Sequence, residues 1–167
     1  MLAARYHSVA EPLELQLEDV PVPVPASGEV LVRVRAASVN PVDWKIATGS
    51  FRVLVRGGLP RIMGSDFAGE VCGLGGGVSG YASGQRVFGF IDPFRRTSGT
   101  FAEFCPVPVD YVHPIPDSLS DAEAAALACA GATAVTLCTL GRVEAGDRVL
   151  VNGAAGGVGH AAVQVAA

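Results

Sequence analysis

Residues 149–167 read VLVNGAAGGVGHAAVQVAA, and the fold turns on what this stretch can form. Val149, Leu150 and Val151 make a short apolar run of the kind buried on both faces in a parallel sheet. Glycines follow, and then Gly159, Ala162, Val163 and Ala166 recur at helical spacing. Strand, glycine loop and helix in that order are the context required of a dinucleotide fingerprint, here Ala154-x-Gly156-x-x-Gly159 with its first glycine replaced by alanine. Glycines let the backbone turn tightly against a pyrophosphate, and the helix N-terminus offers it unpaired N–H groups. Ala154, Gly156, Gly157, Val158 and Gly159 are therefore the candidate cofactor-binding residues. A plain glycine-rich loop is the competing reading. The loop lies near the last residue, Ala167, so a cofactor site begins close to where the chain stops.

Upstream, the chain reads as short strands. In EVLVRVRAASV (29–39), Val30, Val32 and Val34 alternate with Leu31, Arg33 and Arg35, a period-2 pattern with one wetter face. VPVPVPASGE (20–29) is broken by proline and suits an edge or turn. FAGEVCGL, GQRVFGF and TFAEFCPVP, each bounded by glycine or proline, add strands at the spacing of a small all-β unit. The glycines of GLGGGVSGYASG (73–84) imitate a phosphate cradle, but no helical pattern follows, so they read as a strand-connecting turn.

From Asp117 the character changes. Ser120 with Glu123 three residues later forms a capping box ahead of an Ala/Leu-rich run, a helix entry. Gly131 interrupts that run and predicts two helices rather than one. The expectation is a mainly β domain over 1–117, then linking helices and the first strand and helix of an α/β domain over 118–167.

Composition removes several function classes. Half the residues are hydrophobic and 17% charged, with a net charge of -4, which fits a globular protein and neither a disordered chain nor a nucleic-acid binder. No apolar run reaches the roughly 20 residues of a membrane span, and the N-terminus carries acids where a signal peptide has none. A cytoplasmic protein without membrane or nucleic-acid partners is expected. Cys72, Cys105, Cys129 and Cys138 lack metal-ligand rhythm and read as small core residues in a reducing compartment. His7, His113 and His160 have no carboxylate or serine at meaningful spacing, so hydrolase chemistry has no support.

Four blocks carry a resemblance: SVNPVDWKIATG, MGSDFAGEVCGLGGGVSGYASGQRVFGF, GTFAEFCPVPVDYVHPIPDSLSDAEAAALACAGATA and VEAGDRVLVNGAAGGVGHAAVQVA. Together they resemble the medium-chain dehydrogenase/reductases, and within them the zinc-independent quinone oxidoreductases related to zeta-crystallin. The resemblance implies an N-terminal GroES-like barrel joined to a Rossmann domain, of which this chain has only the first strand and helix. It also implies NADPH, with NADH not excluded because the ribose-reading residue comes about 20 residues after the glycine loop. Zinc-dependent relatives carry a Cys where this chain has Asn40, a His where it has Ser65, and a further Cys near Cys129. One soft ligand cannot hold a catalytic zinc, which needs three protein ligands, so no metal is expected.

The resemblance places Asn40 and Asp43 as catalytic residues and Thr133 near the cofactor. Asn40 as an amide donor to a substrate carbonyl competes with Asn40 as the cap before Pro41. Asp43 could instead be a salt-bridge partner, and Thr133 could bond back to its own helix. Trp44 and Phe51 could wall a pocket or sit in the core. The implied activity is NADPH-dependent reduction of a quinone or an α,β-unsaturated carbonyl (enone), with a small-molecule substrate and a possible homo-oligomer. An enoyl-reductase domain of a multifunctional synthase is the enzymatic alternative, against which the Met1 start weighs mildly. A non-catalytic GroES-like fragment is the alternative of another class. The 167 residues alone are expected to be inactive.

Overall fold

The computed structural model describes residues 1–167. The alternation read over 29–36 is a strand, β3 (Glu29–Ala36), at the heart of a five-stranded antiparallel sheet. Two strands precede it, β1 (Leu2–Tyr6) and β2 (Gln16–Asp19). After it come α1 (Pro41–Ala47), β4 (Arg61–Ile62), β5 (Asp66–Leu74), β6 (Arg86–Phe90), β7 (Phe104–Pro108) and β8 (Val112–Pro114). The larger sheet runs β7-β3-β5-β6-β8, and β2-β1-β4 forms a second, smaller one. The proline run after Asp19 carries no strand, as its missing N–H donors dictate.

Val30, Leu31 and Val32 are all buried, so the first half of β3 is covered on both faces; Arg33 and Arg35 then turn outward. Register shifts between β3 and β5 fall at Leu31/Val32 and Val34/Ala36, which curls the sheet towards a barrel. Gly69 lies in that stretch. A Cβ there would sit 2.0 Å from the Arg33 carbonyl oxygen, so only glycine permits the approach. Val30, Val32, Phe67, Val71, Val87, Ile91, Cys105, Val107 and Val112 fill the interior as one cluster. Phe67, at 0% exposure, alone stabilises the barrel by roughly 1.5–3 kcal/mol. Burial pushes the Cys105 thiol up to about 12, which leaves it an unreactive core group.

The glycines of 73–84 join β5 to β6 as a turn. Gly77, Gly80 and Gly84 have positive φ, and a Cβ on Gly75 would come within 1.8 Å of the Ala26 carbonyl oxygen.

Two expectations of secondary structure are corrected beyond residue 117. The run from Asp121 is a single 20-residue helix, α2 (Asp121–Leu140), passing straight through Gly131. Ser120 caps it, accepting from the Glu123 backbone N–H while the Glu123 carboxylate accepts from the Ser120 backbone N–H. One helical glycine costs about 1 kcal/mol, and packing at both ends of α2 outweighs that. Ala124 and Ala125 bury against Ala68 and Ile115 of the barrel, and Ala134 buries against Ala161 and Ala162 of the last helix, α3 (Gly157–Ala166). Because it is unbroken, α2 is also long and apolar enough to cross a membrane by length and composition alone, contrary to the sequence reading.

The second correction concerns Val149–Val151, which form no strand. A parallel strand needs a neighbour for every backbone donor and acceptor. None of the eight strands lies beside this segment, and Leu150 is 92% exposed.

Candidate functional site

Asn40 ends the segment leaving β3 and is the N-cap of α1, in extended conformation, with Pro41 opening the helix. Proline there has the φ a helix needs and lacks an N–H that would go unpaired. Asp43, in the first turn, closes the cap: its Oδ2 accepts from the Asn40 backbone N–H at 2.7 Å. Its Oδ1 accepts from Ser65 Oγ at 2.7 Å. Asp43 is buried, makes no ion pair and is bonded to the Asn40 backbone and to Ser65.

The Asn40 amide is held by residues the sequence reading passed over. Its Nδ2 donates to Asp66 Oδ2 at 2.9 Å and to Ser38 Oγ at 3.2 Å, while Ser38 Oγ donates to the same Asp66 oxygen at 2.6 Å. Asp66 begins β5, directly after Ser65, and is fully buried. Its signal in the sequence is its place in GSDF, directly after the Ser65 that stands where zinc-dependent relatives have a His. Burial pushes the carboxyls of both Asp43 and Asp66 up, and no cation counters it. Cys129 on α2 faces the same acids; burial first, then their negative charge, raises its thiol. No group of three or more His, Cys, Asp or Glu side chains is placed to hold a metal ion.

Thr133 lies one turn beyond Cys129, and its Oγ1 donates back to the Cys129 carbonyl at 2.7 Å. That is the helix-bonded alternative, and it leaves the oxygen lone pairs available. Ala130, beside Cys129 in sequence, is the nearest neighbour of Gly157. The helix α2 thus meets the Asn40 group at Cys129 and the glycine loop at Ala130.

In the loop, Gly156 is the N-cap of α3 and Gly153 has φ 78°, so Gly153, absent from the fingerprint as first read, makes the tight turn. A Cβ on Gly159 would come within 2.2 Å of the Gly153 carbonyl oxygen, whereas one on Gly157 would meet only Ala130 Cβ at 3.7 Å. Gly159 therefore lets the first turn of α3 lie against the loop, and Ala154, Gly156 and Gly157 are exposed around it. The first-turn N–H groups, including those of Val158 and Gly159, lack intrahelical acceptors, as at any helix start. This cradle fits one phosphate group of a dinucleotide.

Phe51 packs edge-on against Phe94 at 5.6 Å, and Trp44 is 46% exposed on α1. The largest cavity, about 670 Å³, lies elsewhere, between β6, β8, α2 and α3. Phe88, Phe90, Tyr111, Leu127, Val135 and Val165 line it, and none of the polar cluster reaches it.

A GroES-like barrel leading through one long helix to a glycine loop is the architecture of the medium-chain dehydrogenase/reductases. Residues 26–117 match the alcohol dehydrogenase GroES-like domain. The chain is 40% identical over 168 residues to a quinone oxidoreductase of Mus musculus, covering 99% of this chain and 49% of that protein. It is 40% identical over 143 residues to a mycocerosic acid synthase-like polyketide synthase of Mycobacterium tuberculosis, covering 85% of this chain and 6% of that one. The quinone oxidoreductase structure from Coxiella burnetii superposes with a TM-score of 0.90 at 36% identity, covering 99% of this chain and 53% of the other. A mycobacterial protein solved in complex with NADPH superposes with a TM-score of 0.86 at 32% identity, over 98% of this chain and 49% of that one. Within that superfamily the chain belongs to the quinone oxidoreductase family. It spans about half the length of the relatives it matches over nearly all its residues.

Proposed function

We propose that this chain is the barrel-bearing part of an NADPH-dependent, zinc-independent reductase acting on quinones or α,β-unsaturated carbonyls. The observation that carries the reading is the Asn40 cluster. Where zinc-dependent relatives have Cys and His, this chain has an amide and a hydroxyl tied to buried acids, with Cys129 the sole soft group nearby. Zinc needs three protein ligands and an open position. NADPH, when bound, supplies a hydride to the quinone ring or activated C=C, and a proton from water completes the reduction. The contribution of this chain is placement: the glycine loop at Gly153–Gly159 receives a phosphate, and α2 sets that loop at a fixed distance from Asn40. Support for NADPH comes from the neighbour solved with it.

The reading is tested on the whole reductase that carries this chain, by incubating it with NADPH and a simple quinone, following NADPH oxidation, and measuring zinc after dialysis. Quinone-dependent oxidation without stoichiometric zinc is expected. About one zinc per chain, lost on Cys129→Ala, would overturn the zinc-free assignment. The polyketide synthase relative favours a second reading, an enoyl-reductase domain. Reduction of carrier-tethered enoyl thioesters, with free quinones left untouched, would select it.

A further inference from the structure

Asp66 is the most costly residue in the polar cluster. It is 0% exposed, no cation lies beside it, and its Oδ1 has no hydrogen-bond partner. A buried carboxyl without a countercharge is costly unless it is hydrogen-bonded, and Oδ2 takes its two side-chain hydrogen bonds from Ser38 and Asn40. What depends on it here is the Asn40 side chain. Ser38 has one hydroxyl proton, and it goes to Asp66 Oδ2, so Ser38 Oγ meets Asn40 only as an acceptor. The two Asn40 Nδ2 protons go to Ser38 and Asp66, which closes a three-residue circuit. Reversing the amide would set Asn40 Oδ1 against the carboxylate oxygen, with no proton between them.

We propose that Asp66, with Ser38, is a positioning residue that fixes the Asn40 amide with both protons turned inward and the carbonyl oxygen Oδ1 at the cap of α1, facing the Asp43 backbone N–H and keeping a second lone pair. The group offered there is an acceptor. A ligand meets it through an O–H or N–H, such as a hydroxyl or a carboxamide, and not through a bare carbonyl oxygen awaiting a donor. That last step rests on the reductase reading; the orientation of the amide does not. The circuit needs only Asp66 Oδ2 as an acceptor, so an amide at residue 66 can maintain it and an alanine cannot.

The test uses the ¹⁵N,¹³C-labelled 167-residue chain. It has only two asparagines, Asn40 and the exposed Asn152, so the second is an internal control. The Asn40 side-chain protons should exchange with solvent about tenfold more slowly than those of Asn152, the scale of one intact hydrogen bond. A through-bond coupling from Asn40 Nδ2 to Asp66 Cγ should be detectable. Asp66→Asn should keep the slow exchange, while Asp66→Ala and Ser38→Ala should bring Asn40 close to Asn152. Equal exchange of the two asparagines in the unaltered chain, which requires no variant to fold, overturns the proposal. So does protection of Asn40 that survives in a folded Asp66→Ala chain. Absence of quinone reduction by the whole reductase, alongside a protected Asn40 amide in the 167-residue chain, would overturn the reductase reading and leave this orientation standing.

Discussion

Gly159 sits against Gly153 so closely that a single methyl on its Cα would come within 2.2 Å of the Gly153 carbonyl oxygen. Gly159→Ala must therefore push the first turn of α3 off the loop, at a cost of roughly 1–3 kcal/mol as for other overpacked sites. Gly157→Ala has room and should be neutral or slightly stabilising in a helix. Amide exchange at Val163 and Val165 reads the difference. Equal protection in both variants would show that the loop can shift without cost.

The two buried acids set a pH dependence. Burial raises Asp43 and Asp66 from their ordinary 3.8. A carboxyl whose pKa is higher folded than unfolded binds its proton more tightly in the folded state. Its stabilisation is full below 3.8 and is lost as pH climbs through the raised folded value. Glu18 and Glu123 act in the opposite sense: hydrogen bonds, from His7 first for Glu18 and from the Ser120 side chain first for Glu123, lower them, so their contribution fades as pH falls. Asp66→Asn should shrink the loss of Tm between about pH 4.5 and about pH 8. An unchanged or larger loss sinks the assignment.

Core and surface should separate sharply. Phe67→Ala removes a ring at 0% exposure from the barrel cluster and should cost roughly 3–5 kcal/mol. Leu150→Ala, at 92% exposure, should stay within about 0.5 kcal/mol. Urea midpoints measure both.

Deleting residues 145–167 should leave the barrel folded, because none of its nine core residues lies in the removed stretch. It should also reduce self-association, since Leu150, Val163 and Val165 go with it. Loss of the cooperative urea transition would mean that α3 supports the barrel core.

The 167-residue chain should bind NADPH more weakly than millimolar. One glycine loop and one helix N-terminus contribute roughly 0.3–1 kcal/mol towards a phosphate, up to about 2 when partly buried. A millimolar dissociation constant needs about 4 kcal/mol. Saturation at micromolar cofactor in a fluorescence titration would show that a second copy completes the site.

What the sequence made legible was local. The strand over β3, the Ser120–Glu123 cap and the proline run after Asp19 each depend on neighbours a few residues away and are found as read, although the wetter face of β3 begins only at Arg33 because Leu31 is buried. Gly131 misled because propensity is a small term: α2 stays whole through burial of Ala124 at one end and Ala134 at the other, contacts no local window contains. Val149–Val151 looked like a strand by composition, but strandedness is a property of a pair. Asn40 was legible as the cap before Pro41, while the residues that hold its amide were not. Ser38 hides as an ordinary serine two positions upstream, and Asp66 comes from another strand, 26 residues on.

The unbroken course of α2 has a mechanical meaning. At 20 residues it is a rod of about 30 Å, footed on the barrel at Ala124 and clasped by α3 at Ala134, with Cys129 and Ala130 between. It has no proline, and at Gly131 it runs on without a break. The glycine loop and the Asn40 cap are therefore geared to one shaft. Any separation of the two has to pivot beyond Leu140, in the segment around Arg142, where the backbone turns left-handed at φ 51°, or else swing the barrel and the loop together as one piece.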